Sequence, residues 1–134
     1  MKCPKDIFCD NIAKAGVKLA DVRIVEGFFD KSLTDECKST LQLEAGAIFH
    51  IDCDLYESTV QVLDFITPLI QDGSVLIFDD WFYYRGHPER GEQGAFRQWQ
   101  KRNPQFLASE LFTLNPAAAY IINLANINGA SQDH

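Results

Sequence analysis

Ala47-Ile48-Phe49-His50-Ile51-Asp52-Cys53-Asp54 and Ser74-Val75-Leu76-Ile77-Phe78-Asp79-Asp80-Trp81 are apolar runs that each end in carboxylates. Short runs rich in Val, Ile and Phe, separated by a helix-length segment, fit two parallel strands of a βαβ unit buried on both faces. Parallel pairing sets their C-terminal ends side by side. In open α/β sheets ligands collect beyond those ends, so Asp52, Asp54, Asp79 and Asp80 are expected to converge where such a fold holds its site.

Asp52 and Asp54 stand two apart on an extended chain and project to one side, while Cys53 points to the other. The second acidic pair follows about 27 residues later, near the ~30 of a βαβ unit. Neighbouring strands lie roughly 4.8 Å apart, close enough for oxygens from both to share a hard cation at roughly 2.0 to 2.6 Å. Magnesium, or a similar oxygen-preferring divalent ion, is the natural guest. A carboxylate left outside the inner shell can serve as general base, because a cation eases deprotonation of a hydroxyl held against it. Other roles compete. Asp54-Leu55-Tyr56-Glu57 has the spacing of a capping box, which makes Asp54 an N-cap for the helix that follows. Asp72-Gly73 reads as the turn into the second run. His50 reads as a packed strand residue.

Working outward, residues 5–15 have apolar positions at helical spacing and a glycine stop at Gly16. Val22 to Glu26 read as a strand, and Asp30 or Ser32 as the cap of a short helix running toward Leu41. Pro68 ends the helix between the acidic runs. After them comes Phe82-Tyr83-Tyr84-Arg85-Gly86-His87-Pro88, an aromatic loop too apolar for a plain connector. Its position makes Trp81, Tyr83, Tyr84, Arg85 and His87 candidates for lining a substrate site, with packing as the rival role. Residues 92–102 read as a helix with Phe96 and Trp99 in the core, followed by strands at 106–112 and 118–124 around Asn115-Pro116. Residues 1–125 are expected to form one α/β domain, and 126–134 a polar tail.

The chain has 134 residues, enough for one domain with a core but small for a complete α/β enzyme. Its net charge of −7, with no basic run, argues against nucleic acid or an anionic membrane as partner. No run approaches bilayer-spanning length and the start lacks signal-peptide character. The 4 cysteines lack CxxC spacing and fit thiols in a reducing cytoplasm.

His50-Ile51-Asp52-Cys53-Asp54-Leu55-Tyr56-Glu57-Ser58-Thr59, taken with Ile77-Phe78-Asp79-Asp80-Trp81, resembles the macrocin O-methyltransferase family. Val25-Glu26-Gly27-Phe28-Phe29 and Gly91-Glu92-Gln93-Gly94-Ala95-Phe96 are similar to its flanking segments. The resemblance implies a class I, S-adenosylmethionine-dependent methyltransferase that uses a divalent metal, usually magnesium, and methylates a hydroxyl on a small acceptor. By it, Asp52, Asp79 and Asp80 would be metal ligands and Asp54 the base, with the roles of Asp52 and Asp54 left open between them. It also implies a three-layer Rossmann-like fold of strand order 3-2-1-4-5-7-6, of which this chain carries the equivalents of 3, 4, 5, 6 and 7. No strand followed by a GxGxxG-type turn is present.

The expectation is therefore a truncated α/β methyltransferase fold, without its first two strands and glycine-rich cofactor turn and closed by a C-terminal antiparallel strand pair. Weak or undetectable binding of S-adenosylmethionine by the chain alone follows. The strand at 22–26 would either dock beside residues 47–52 or leave a gap for a second copy to cover, which makes a homodimer or higher oligomer the expected state. Two other classes stay open: a haloacid dehalogenase-like phosphotransfer enzyme with Asp52 as nucleophile, and a non-catalytic oligomerisation module.

Overall fold

A computed structural model describes residues 4–125. Lys5–Lys14 forms the first helix, α1, ending just before Gly16, whose φ of 87° is left-handed. No residue of α1 is buried, and a single 3₁₀ turn at Leu19–Asp21 follows it. Val22–Glu26 is not a strand, contrary to expectation. A strand exists only through its ladder, and this segment has no strand beside it. It does not dock on residues 47–52, whose sheet partner is the 70–78 strand. Two short helices come next, Phe29–Ser32 (α2) and Asp35–Thr40 (α3). The cap of α3 is Thr34, whose hydroxyl accepts from the Cys37 amide at 3.1 Å, rather than Asp30 or Ser32.

The two acidic-tipped runs pair in parallel as expected. Gly46–Ile51 (β1) lies against Ile70–Phe78 (β2), with Ile51 opposite Phe78 and Phe49 opposite Leu76, and Tyr56–Ile66 (α4) crosses between them. The α4 helix gives way at Pro68 to a 3₁₀ turn, Thr67–Leu69. Asp72-Gly73 is not a turn before the strand but a bulge inside it. The pairing slips between Gly46 and Ile48, Gly73 takes φ 85°, and the Ser74 hydroxyl closes the irregularity by donating to the Gly46 carbonyl at 2.6 Å.

Beyond β2 lie a single turn at Tyr83–Gly86 (α5) and the helix Gly91–Arg102 (α6). Phe106–Leu114 (β3) and Ala117–Leu124 (β4) form the C-terminal antiparallel pair, and β4 inserts beside β2 to give the order β1-β2-β4-β3. This is the Rossmann-like α/β arrangement expected for the second half of the sheet.

One face of the sheet presents Ile51, Leu76, Phe78, Ala118 and Ile122 to α4 and α6, which supply Leu63, Ile66, Ala95, Phe96 and Trp99. Each of the buried Leu, Ile and Phe side chains contributes about 1.5 to 3 kcal/mol by leaving water, and the alanines less. The aromatic members interlock: Trp99 stacks on Phe106 at 5.3 Å and on Phe96 at 5.7 Å, and its indole N–H donates to Thr67 Oγ1 at 2.9 Å. The opposite face is barer, with Ile48 65% exposed. Among the described residues no helix is long and apolar enough to cross a membrane.

Candidate functional site

The parallel pairing carries Asp52 and Asp54 off the end of β1 and Asp79 and Asp80 off the end of β2. Asp52, Asp54 and Asp80 each bring a carboxylate oxygen to within 4.8 Å of the others. Asp79 stands outside this group, with Oδ1 3.6 Å from His50 Nε2. His50 itself is exposed on the barer face rather than packed.

Asp54 does not cap α4. The N-cap is Leu55, without a side-chain bond, and Asp54 sits in the left-handed region at φ 47°. The capping-box spacing is present, but the backbone turns a residue later than it requires. The Asp54 carboxylate is thereby turned into the acidic group instead. Crowding has an electrostatic cost. A hydrogen bond shared with Asp54 raises the Asp80 carboxyl to about 6, with burial and the nearby Asp54, Asp52 and Asp79 charges adding to the effect. In the ion-free chain Asp80 therefore holds a proton well above the usual carboxylate range.

Oxygens bound to one ion lie no further apart than about twice the ion–oxygen distance, roughly 4 to 5 Å. The converging group meets that condition, and an all-carboxylate donor set suits a hard divalent ion over zinc or copper. The set that converges is Asp52, Asp54 and Asp80, with Asp54 in the place the resemblance gave to Asp79, and its donor chemistry suits a hard divalent ion.

Glu92 is the site residue that sequence reading missed. It is 1% exposed on the first turn of α6, and its two oxygens accept from the amides of Cys53 at 3.4 Å and Asp80 at 3.0 Å. Burial pushes its carboxyl up to about 7. Next to it, the Gln93 amide donates to the Trp81 carbonyl at 2.9 Å. The available signal was a charged residue between glycines on a helix that had to pack. Cys53 is inert, its thiol pushed up to about 12 by burial and the Glu92 charge.

The aromatic loop divides. Trp81 is core: it is 7% exposed and packs on Phe78, Phe96 and Tyr120, because the chain turns inward right after the acids. Tyr83, Tyr84, Arg85 and His87 are exposed. Tyr84 and Arg85 both hold left-handed backbone, at φ 52° and 58°. Such strain in non-glycine residues costs about 1 to 3 kcal/mol each and gathers at functional loops. Tyr84 also approaches the site, since a side chain at Gly91 would meet both the Tyr84 ring and the Asp54 carbonyl. A separate cavity of about 690 Å³, lined by Phe8, Ile24, Val25 and Phe28 among others, lies in the N-terminal arm away from the acids.

The model of the family Macrocin-O-methyltransferase (TylF) matches residues 1–109. No curated protein matches. Among solved structures, the O-methyltransferase NovP superposes with a TM-score of 0.70 at 18% identity, over 89% of this chain and 45% of its own. That likeness is one of fold. CalS11, a TDP-rhamnose 3′-O-methyltransferase in calicheamicin biosynthesis, gives a TM-score of 0.56 at 25% identity, over 72% of this chain and 40% of its own. The chain thus spans less than half the length of the solved proteins it matches.

Proposed function

The chain belongs to the macrocin-O-methyltransferase family, and on that premise we propose that it forms the metal- and acceptor-holding part of an S-adenosylmethionine-dependent O-methyltransferase. The observation that carries the reading is the meeting of Asp52, Asp54 and Asp80 at the tips of two parallel strands. The acceptor class is a small hydroxyl-bearing molecule. A sugar hydroxyl is the specific candidate, by analogy with the TDP-rhamnose substrate named for CalS11.

Asp52 and Asp80 hold a divalent cation, magnesium by preference. When bound, such an ion lowers the pKa of an acceptor hydroxyl held against it. Asp79 completes the ligand set by leaving His50, and Asp54 takes the hydroxyl proton. A second assignment exchanges Asp54 and Asp79, and the convergence of Asp54 with Asp52 and Asp80 favours it. Tyr83, Tyr84, Arg85 and His87 form the acceptor's side of the mouth, with Trp81 as the wall behind them. Groups beyond this chain hold the methionine end of the cofactor, so the chain alone binds S-adenosylmethionine weakly. A second copy covers the open edge of β1.

Calorimetric titration of the full chain with Mg²⁺ tests the reading. Saturable binding that Asp52→Asn and Asp80→Asn each abolish supports it, and a wild type without Mg²⁺ binding overturns it in favour of a non-catalytic interaction module. Comparison of Asp54→Asn with Asp79→Asn separates the two assignments, because the ligand loses ion affinity and the base does not. Micromolar affinity for S-adenosylmethionine would refute the division of the cofactor site.

A further inference from the structure

Past Ile51 and Phe78 the β1–β2 ladder gives way to a different kind of support. The Asp79 amide still donates to the Ile51 carbonyl at 3.0 Å. The amides of Cys53 and Asp80 then turn to one side chain from a third element: Glu92 Oε1 accepts from the first at 3.4 Å and Oε2 from the second at 3.0 Å. Glu92 is buried, and a buried carboxylate is tolerated only where good hydrogen bonds replace its water. Both of these bonds go to strand tips and neither to the first turn of its own helix.

The local sequence presses α6 onto those tips. A Cβ at Gly91 would lie 2.9 Å from the Tyr84 ring and 3.2 Å from the Asp54 carbonyl, and a Cβ at Gly94 would lie 2.5 Å from the backbone of Glu89. Only glycines let the helix start this close. The backbone that Glu92 ties together is the backbone from which the ion-facing acids project. Asp52 directly precedes Cys53, and Asp80 is itself tied.

We propose that Glu92 is a positioning residue that fixes the separation of the Asp52 and Asp80 carboxylates and thereby makes the site prefer a small divalent ion over a large one. The inference rests on the reading of these acids as ion ligands. Mg²⁺ demands near-ideal geometry at about 2.0 to 2.1 Å, whereas Ca²⁺ accepts irregular shells at about 2.3 to 2.6 Å. A braced pair of strand tips keeps the carboxylates from spreading beyond the 4.8 Å within which their oxygens lie. A loosened pair lets them spread.

The test compares Mg²⁺ and Ca²⁺ binding by calorimetry on the full chain, in wild type, Glu92→Gln and Leu63→Ala. Glutamine keeps one acceptor and loses the other, so one tip is released. Mg²⁺ affinity is expected to fall about 10- to 100-fold, the usual effect of removing a group that orients a metal ligand. Ca²⁺ affinity falls less, so the Mg²⁺/Ca²⁺ ratio drops. Leu63→Ala, in the core away from the tips, lowers stability without moving the ratio. An unchanged ratio in Glu92→Gln overturns the proposal while leaving the ion site standing, and a wild type that binds neither ion overturns both. Amide hydrogen exchange on the wild type gives a check that needs no variant to fold: slow exchange at Cys53 and Asp80 supports the brace, and exchange at the rate of open chain overturns it.

Discussion

Each carboxylate at the strand tips has a distinct environment, and that makes the site divisible by single substitutions. Asp80 is raised to about 6 from 3.8, and Glu92 to about 7 from 4.5. An acid whose pKa rises on folding binds its proton more tightly in the native state. The stability it contributes is complete below the unfolded value and is lost as pH rises through the folded one. For this pair the loss runs from 3.8 up to about 7. Melting in Mg²⁺-free buffer should therefore show a fall in stability across that window, and Asp80→Asn should flatten its lower part. Added Mg²⁺ is expected to raise the melting temperature more at about pH 8 than at about pH 5, because at the lower pH the ion must displace protons. The reverse order would contradict the assignment of Asp80 as a ligand.

Among the elements, α6 is the one on which most else depends, since its first turn is buried whole and its later residues reach the aromatic core. Gly94→Ala would push a methyl into the Glu89 backbone, which cannot move as a flexible side chain would. A loss of about 1 to 3 kcal/mol in urea unfolding is expected, with weaker Mg²⁺ binding because Glu92 moves as well. Trp99→Ala should cost more, about 3 to 5 kcal/mol, and leave the ion ratio alone. The sequence announced α6 through the spacing of Phe96 and Trp99, and the parallel strands through their unbroken apolar runs. It was misleading where local chemistry competed with tertiary geometry. The Asp54 capping pattern was overruled by a left-handed backbone, and the Asp72-Gly73 pair was absorbed into a bulge. The convergence of Asp52, Asp54 and Asp80 was legible because strand polarity brings the tips together, whereas the turn of Asp79 toward His50 was not. Glu92 was not, because a helix position gives no sign of which backbone amides will lie opposite.

Taken whole, the molecule is unevenly consolidated. None of residues 4–31 is buried, while β2, β4 and α6 supply most of the buried core. Val22–Glu26 was read as a strand and is not one, because pairing depends on neighbours that the local pattern does not describe. The outer edge of β1 is similarly open, and Ile48 on it carries no charge to discourage pairing. Sedimentation over a range of concentrations is expected to show self-association, and Ile48→Lys should reduce it. A wild type that stays monomeric at all concentrations would refute a second copy as the cover.

At the far end of the sheet from the acids, Asp72 Oδ1 accepts from the Leu124 amide at 2.9 Å and the Asn123 side chain lies 3.4 Å away. Because β4 runs antiparallel to β2, this clasp sets the end of β4, at Leu124, at the opposite end of the sheet from the carboxylates. A fluorophore or surface tether fused there would leave the mouth of the site clear, so ion uptake can be followed on immobilised protein with the reporter well removed from the event it records.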